Sequence, residues 1–575
     1  MSDGHDGLGE DSDVVVIGSG AAGLVAALVA ARGGCSVAVV ERAPLVGGTT
    51  AFSGGMCWVP GHPKPPIVGD PDDVAAAASY VRGLTRGRQR DDSLIDVYLE
   101  TLPRAVELIE SDTPLRLAAS EVFTDYFCDR PGARRGGRSI EPLPFEAKAL
   151  LGEWFSRLRM SPHFPIPLTA DERARASGVD PRDIDGRSLT GDSIAELVSR
   201  RLADGIVANG VALAGGLLAG ALAHGVRVVT GVRARRLTGP DVVTGVEAEA
   251  TDGRTLRFGA RRGVVLACGG FEWNAELTHT FLGLAEVRPA SPPGNVGDGL
   301  LMGLARGASL VNMTAGWNYP VTQDPTVRFE GEPFASIASV RMDGGVIALN
   351  KRGRRFVNEA CSYNDMAKAF RHYDEVTQDW PNAMAWLIFD QQVRDRASVN
   401  TMQPGLPQPD WVFSGATLSD LAGRIGLDPA TVVAEVDAWN EGVSKGRDEA
   451  FGRGTVWFEG MTTGGPSPER LQRIEKGPFH AMAIYPGLIG TAGGLRTDDW
   501  GRVLGVSGTP IGGLYACGNT AASAFEHLYP AGGTTLGMAI AFGYRAGTHL
   551  SGQHDIADRP RAARATSTNR KEMGE

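Results

Sequence analysis

The apolar positions near the start of the chain fall into a short order. Val14-Val15-Val16-Ile17 is a β-branched run, and it stops at the glycine turn Gly18-Ser19-Gly20-Ala21-Ala22-Gly23. Ala21 to Arg32 is rich in Ala and Leu with helical character until Gly33-Gly34 ends it, and Val37-Ala38-Val39-Val40 is a second run closed by Glu41. Strand, glycine turn, helix, strand, acid is the βαβ unit of a dinucleotide site: glycines let the backbone approach a pyrophosphate at a helix N-terminus, and the acid reaches ribose hydroxyls. Further along, Ala212 to Gly225 reads as a small-residue helix followed by the strand Val226 to Val229. Arg262 to Phe271 is an apolar strand opening into the Gly269-Gly270 turn, and Gly297-Asp298-Gly299 begins another helix.

From about Leu310 to Ile484 the pattern changes, with more aromatics, more charge and fewer small-residue runs; helical segments at Leu418 to Arg424 and Ala430 to Gly442 sit beside extended ones. Gly-rich strand ends return at Gly493 to Asp498 and Leu514 to Asn519. The organisation expected is α/β: a Rossmann-like cofactor domain made of residues 1–309 and 485–550, discontinuous in sequence, with an α+β substrate domain inserted at 310–484 and a polar, flexible tail at 551–575.

At 575 residues the chain is several times the length of an ordinary domain, and 22% charged against 42% hydrophobic residues describe a globular protein able to enclose a cofactor. The formal net charge of -10 disfavours nucleic acid, which calls for a basic face. No apolar run approaches the roughly 20 residues that would form a transmembrane segment. The six cysteines lack any CxxC pair, so neither a disulfide framework nor a metal site is expected. Met1 to Asp13 has no basic or apolar region of a secretory signal, and a cytoplasmic location is expected.

Two further glycine-dense elements, Gly47-Gly48-Thr49-Thr50 and Ser53-Gly54-Gly55, look like the flavin-contacting loop of the fumarate reductase and ketosteroid dehydrogenase flavoproteins. With its blocks in order along nearly the whole length, the chain resembles the fumarate reductase-like flavoprotein superfamily, and within it the 3-ketosteroid Δ1-dehydrogenase family. The resemblance implies FAD. No histidine occurs from Arg42 to Gly61, so the flavin should be held noncovalently. The implied cofactor residues are Gly18, Gly20, Ala22, Gly23, Glu41 and Arg42 of the βαβ unit; Gly48, Thr49, Ser53, Gly54 and Gly55; Val232, whose turn would meet the adenine through its backbone; Gly269, Gly270 and Asp298; and Gly518, Asn519, Thr535 and Leu536.

Three signatures carry the resemblance to the dehydrogenase branch. Thr124-Asp125-Tyr126 followed by Gly137-Arg138-Ser139-Ile140-Glu141-Pro142-Leu143-Pro144-Phe145 puts Tyr126 on the family's active-site tyrosine. Tyr363 follows Phe356-Val357-Asn358-Glu359, where the family keeps its base, although Ala360-Cys361-Ser362 replaces the usual Ser-x-Pro lead-in. His527-Leu528-Tyr529-Pro530-Ala531-Gly532-Gly533-Thr534 puts Tyr529 and Gly533 on the residues that bind the substrate ketone; Ala531-Gly532 in place of Gly-Pro, and Thr534 in place of Gly, change stiffness and bulk beside that carbonyl.

Removing hydrogens from adjacent carbons beside a ketone takes a hydride acceptor, a base for the α-proton and a device for the developing enolate. The resemblance assigns these to flavin N5, to Tyr363, and to the Tyr529 phenol with the Gly533 N–H. A free phenol titrates near 10, so Tyr363 needs a downward shift, for which Tyr126 is the natural hydrogen-bond donor. Gly533 could also be only a turn glycine, His527 a packed side chain, and Trp317 and Tyr319 either cavity lining or core. The implied activity is an FAD-dependent desaturation α,β to a cyclic ketone, with 1,2-desaturation of a 3-ketosteroid leading; the alternatives are a smaller substituted cyclohexanone and a fumarate reductase-like enoate reductase. The partners expected are that small-molecule ketone and an unidentified electron acceptor.

Overall fold

The computed structural model describes residues 11–66, 71–85, 92–176, 191–284, 286–460, 468 and 471–553; the tail expected at 551–575 lies outside them beyond Gln553. An eight-stranded sheet runs in the order Arg502–Leu504, Pro510–Ala516, Thr255–Leu266, Ser12–Ile17, Val37–Val40, Arg227–Val229, extended by Gly245–Ala250 and Val232–Thr238. The five strands from Pro510–Ala516 to Arg227–Val229 are parallel. Val14, Val15, Val16 and Ile17 are buried because their sheet is covered on both faces, which is why they read as one continuous apolar run.

The helix Ala21–Arg32 follows the first strand and packs between the helices Thr534–Ser551 and Asn209–Ala223. Its contact with Thr534–Ser551 is backbone-close: a Cβ on Gly543 would stand 2.6 Å from the Ala22 carbonyl oxygen, and one on Gly547 2.7 Å from that of Ala26. The small-residue runs at both ends of the sequence are thus two halves of one interface.

The second sheet has seven strands and is built on Phe479–Thr491. That strand pairs antiparallel with Gly316–Phe329, Ala385–Asp390 and Val412–Gly415, and parallel with Arg288–Pro289. It carries the sheet across residue 484, where the substrate domain was expected to end. Side-chain alternation gives the sheet two cores. Ala348, Leu387, Phe389 and Met482 face one, and Ile347, Leu349, Ile388 and Ala481 face the other, beneath the helices Leu418–Arg424 and Pro429–Ser444. A small antiparallel sheet of Cys57–Trp58, Ser139–Pro142 and Leu117–Ala119 supports the segment bearing Tyr126. Among the described residues no helix is long and apolar enough to cross a membrane, and no group of three or more His, Cys, Asp or Glu could hold a metal ion.

Candidate active site

One cavity of about 770 Å³ extends from the glycine turn to a cluster of tyrosines. Of the residues expected at the cofactor, Gly18, Gly20, Ala22, Glu41, Arg42, Gly48, Thr49, Ser53, Gly54, Gly55, Val232, Gly269, Asp298, Gly518, Asn519, Thr535 and Leu536 line it, and so do Tyr126, Tyr363, Tyr529 and Gly533. Gly23 and Gly270 stand behind the wall. A Cβ on Gly23 would meet the Gly18 carbonyl oxygen at 2.0 Å, and one on Gly270 would meet Thr491 Oγ1 at 2.3 Å; both glycines let other segments close up.

The cofactor end is made chiefly of main chain. Gly18 has φ +106°, and a Cβ there would sit 2.5 Å from the Ala267 carbonyl oxygen, so only glycine fits the turn. The helix that follows has no acidic residue in its first turn. The Ala21 N–H is satisfied by Thr50 Oγ1 at 2.9 Å, and the next N–H groups form a positive end that would suit a pyrophosphate. Glu41 is committed more to the turn than the sequence suggests: Ser19 N and Oγ donate to its Oε2 at 2.9 and 2.6 Å, and Ala43 N donates to Oε1 at 2.9 Å. A carboxylate has about four acceptor sites, leaving one for a ribose hydroxyl.

The Val232 N–H donates to the Glu41 carbonyl at 2.9 Å, so any contact it makes with an adenine uses its carbonyl or side chain. Asp298 is held by Arg233 through Nε and Nη2 at 2.8 and 2.6 Å and approached by Arg42 at 3.5 Å. Thr49 Oγ1 accepts from Asn295 Nδ2 at 2.8 Å, and Asn295 also donates to the buried Glu272 at 2.7 Å. A long cavity with a helix N-terminus free of acidic side chains and bare backbone at Gly20 and Gly48, where an added Cβ meets nothing nearer than 3.5 Å, suits an extended dinucleotide. The loop from Gly48 to Gly55 offers no histidine or cysteine for a covalent bond to the ring.

The other end is made of side chains. Tyr126 Oη donates to Tyr363 Oη at 2.8 Å. Tyr529 stacks on Tyr126, with centroids 5.8 Å apart, and meets Tyr363 edge-on at 5.5 Å. Tyr319 stacks on Tyr363 at 4.2 Å, and Trp317, buried as core, supports Tyr529 at 5.2 Å while its Nε1 donates to Asn519 Oδ1 at 3.2 Å. Thr535 Oγ1 donates to Tyr529 Oη at 3.2 Å. Gly533, at φ +98°, precedes the helix Thr534–Ser551; a Cβ there would lie 2.7 Å from Met56 and Cys57 backbone atoms, so a side chain is excluded.

The motifs around these tyrosines fix them to one another. Tyr126 N donates to the Pro530 carbonyl at 2.8 Å, and Tyr80 Oη to the same oxygen at 2.7 Å. Ser139 Oγ holds the Gly532 carbonyl at 2.9 Å. Asp125 accepts from Trp58 Nε1 at 2.8 Å and Arg138 Nη1 at 2.6 Å, so the Asp-Tyr and Gly-Arg motifs are one buried ion pair under Tyr126. Asn364, next to Tyr363, ties the start of its helix to Asn318 N at 3.0 Å and to the His527 carbonyl at 3.3 Å. His527 itself does not line the cavity, and burial lowers its ring below the usual histidine range.

The downward shift expected for Tyr363 is absent from the resting site. Burial pushes the phenols of both Tyr363 and Tyr126 well above 10; the bond between them works against that push at Tyr126 and with it at Tyr363, so the resting pair is neutral. Sequence reasoning missed the apolar wall around the pair: Phe123, Met342 and Phe458, the last edge-on to Tyr126 at 4.5 Å. The apolar triplet Val456-Trp457-Phe458 in a polar stretch was the available signal for Phe458.

A family model described as an FAD binding domain matches residues 13–536. The chain is 36% identical to a 4-oxocyclohexanecarboxylate 2-dehydrogenase of Sinomonas cyclohexanicum, over 94% of this chain and 93% of that one. It is 35% identical to a 3-oxosteroid 1-dehydrogenase of Mycobacterium tuberculosis, over 95% and 99%. Its fold matches a crystal structure of the 3-ketosteroid Δ1-dehydrogenase of Sterolibacterium denitrificans in complex with 1,4-androstadiene-3,17-dione, with a TM-score of 0.86 and 32% identity over 94% of this chain and all of that one. A noncovalently bound FAD and chemistry at CH–CH groups go with that kinship: the chain belongs to the 3-ketosteroid Δ1-dehydrogenase family of FAD-dependent oxidoreductases.

Proposed function

We propose that the protein desaturates a neutral cyclic ketone at its α,β carbons, with 1,2-desaturation of a 3-ketosteroid as the reaction. The observation that carries this reading is the gathering of Tyr126, Tyr363, Tyr529 and Gly533 from three distant segments at one end of the cavity whose other end is the dinucleotide turn. The ketone oxygen lies between the Tyr529 phenol and the Gly533 N–H, which donates to no described residue. Both donors are fixed before reaction, so they favour the enolate over the ketone without reorganisation. Tyr363, as its phenolate, takes the α-proton, while Tyr126 steadies the phenolate through the 2.8 Å bond. FAD, when bound, supplies the acceptor for the β-hydride. An external electron acceptor must then reoxidise it.

Two features favour a steroid ketone over an oxo-acid. The wall around the tyrosines is apolar, and the only cations among the described cavity residues, Arg42 and Arg159, are occupied by Asp298 with the Gly294 carbonyl and by Glu330 at 2.6 Å. His163 is no substitute, since burial holds it near 4 and keeps it uncharged. A second reading, an oxocyclohexanecarboxylate, is favoured by the 36% identical relative and by the unpartnered, buried Arg159 Nε. Turnover of a 3-ketosteroid and of 4-oxocyclohexanecarboxylate with an artificial acceptor separates them: 1,2-dehydro steroid is expected, and preferential oxidation of the acid would replace the first reading by the second. Six free thiols support placing the protein in the reducing cytoplasm.

A further inference from the structure

Arg341 is fully buried behind the tyrosine cluster, on the short helical turn Ser339–Met342. Its Nη1 donates to the carbonyls of Glu359 and Cys361, the latter at 2.9 Å, and so clamps the chain that leads into Tyr363. Its Nε and Nη2 make no close hydrogen bond, although the guanidinium still acts as a donor toward the Tyr319 phenol, and among the described residues no carboxylate lies in ion-pair range of it. Its guanidinium carbon lies 6.0 Å from the centroid of the Tyr319 ring, which in turn stacks on Tyr363. A desolvated cation held only by neutral groups is costly, and a nearby anion would relieve that cost.

We infer that Arg341 is a positioning and electrostatic residue of the desaturation, a fixed positive charge that makes room for one negative charge on the hydrogen-bonded Tyr126–Tyr363 pair. The inference rests on the reading of Tyr363 as base. The proton deficit belongs to the pair, since two phenols 2.8 Å apart titrate together. Burial works against that deficit, and the attraction of Arg341 for a phenolate at Tyr126 works for it.

The other charged groups packed there do not replace Arg341. Glu359 is held by Arg355 at 2.9 Å and Arg453 at 3.3 Å, Glu459 accepts from Asn358 at 2.6 Å, and Asp365 is paired with Lys368 at 2.6 Å. The Cys361 thiol is pushed up to about 12 by burial and stays neutral, Asp343 is paired with Arg396 at 2.6 Å and Asp448 with Arg355 at 2.9 Å, and Tyr319 and Tyr529 are further phenols against the pair. Among the described residues Arg341 and Arg371 are the cations near Tyr363 without a carboxylate partner; Arg371 donates to the Thr314 carbonyl and to Asn318 Oδ1, and Arg341 is the one set against the Tyr319 ring.

The test is the pH profile of kcat, with a parallel spectrophotometric titration of phenolate in the FAD-loaded, substrate-free enzyme, for R341Q and R341K. R341Q is expected to raise the limiting pKa by about one to two units, lowering kcat at pH 7 about 10- to 100-fold. KM should change by less than about twofold, and the rates should converge in alkali. The phenolate titration should move by the same amount, and R341K should restore the pKa to within about half a unit. An equal loss of kcat at every pH, or an unmoved phenolate titration in R341Q, would overturn the inference. Should R341Q not retain FAD, Arg341→Met is read in its place: a pKa raised by about one unit or more supports the role, and an unmoved one contradicts it. A parent enzyme that desaturates no cyclic ketone would sink the reading of the site, and the phenolate titration would still judge Arg341.

Discussion

The two ends of the cavity are built on opposite principles. At the dinucleotide end the working groups are backbone N–H and carbonyls, brought close by residues that lack a side chain, and the segment from Ser12 to Gly55 supplies most of them. At the other end they are phenols, drawn from residues 126, 363 and 529 and held by a buried ion pair and carbonyl clamps. Main-chain sites depend on what a position excludes, and side-chain sites on what it places. Substitutions at the first end should therefore remove the cofactor, and substitutions at the second should leave it bound and inactive.

The largest effect is expected at Gly18. Gly18→Ala forces a side chain into a positive-φ position 2.5 Å from the Ala267 oxygen, and FAD affinity should fall by about two orders of magnitude, read as flavin content after purification. A fully loaded variant would break the comparison. Tyr363→Phe keeps the ring stacked on Tyr319 and should lower kcat by about 10³-fold or more at unchanged FAD content. Tyr529→Phe removes one of two proposed donors to the ketone, costing about 10²-fold in kcat/KM in steady-state assays. In the unsubstituted enzyme burial holds the Tyr363 phenol well above 10, so the base form grows with pH and kcat should rise through the alkaline range; a profile flat from pH 7 to 10 would contradict this.

The smallest expected effect lies beneath the tyrosines. Glu141, buried beside Asp171 on the strand whose Ser139 clamps Gly532, is raised by burial from 4.5 to about 7. With the folded value above the unfolded one, its contribution to stability is complete below about pH 4.5 and is lost as pH rises through about 7, of order 3 kcal/mol at most. Thermal melts of Glu141→Gln should decline less steeply than those of the parent across that window.

How much could be read from the sequence follows the same division. Ala21–Arg32 and Leu418–Arg424 emerge with the expected ends, since glycine stops and local periodicity mark them. The βαβ unit is local too, so the place of Gly18, Gly20 and Glu41 in the cavity wall was legible from their spacing alone. Tyr126, Tyr363 and Tyr529 were reachable only through motif resemblance, because no spacing announces that residues 237 positions apart share a hydrogen bond. Arg341 lay beyond both. A buried arginine looks like any other in sequence until its partners, or their absence, can be counted. The upward push on Tyr363 was hidden for a related reason: the hydrogen bond to Tyr126 was foreseeable, but the burial depends on Phe458, Met342 and Trp317, which come from elsewhere in the chain.

The central claim is that Tyr363 takes the proton while the distant glycine turn holds the flavin, and anaerobic stopped-flow mixing with a 3-ketosteroid tests it most directly. The parent's flavin absorbance should bleach, and that of FAD-loaded Tyr363→Phe should persist at least about 10³-fold longer. Bleaching of the variant at the parent's rate would contradict the account.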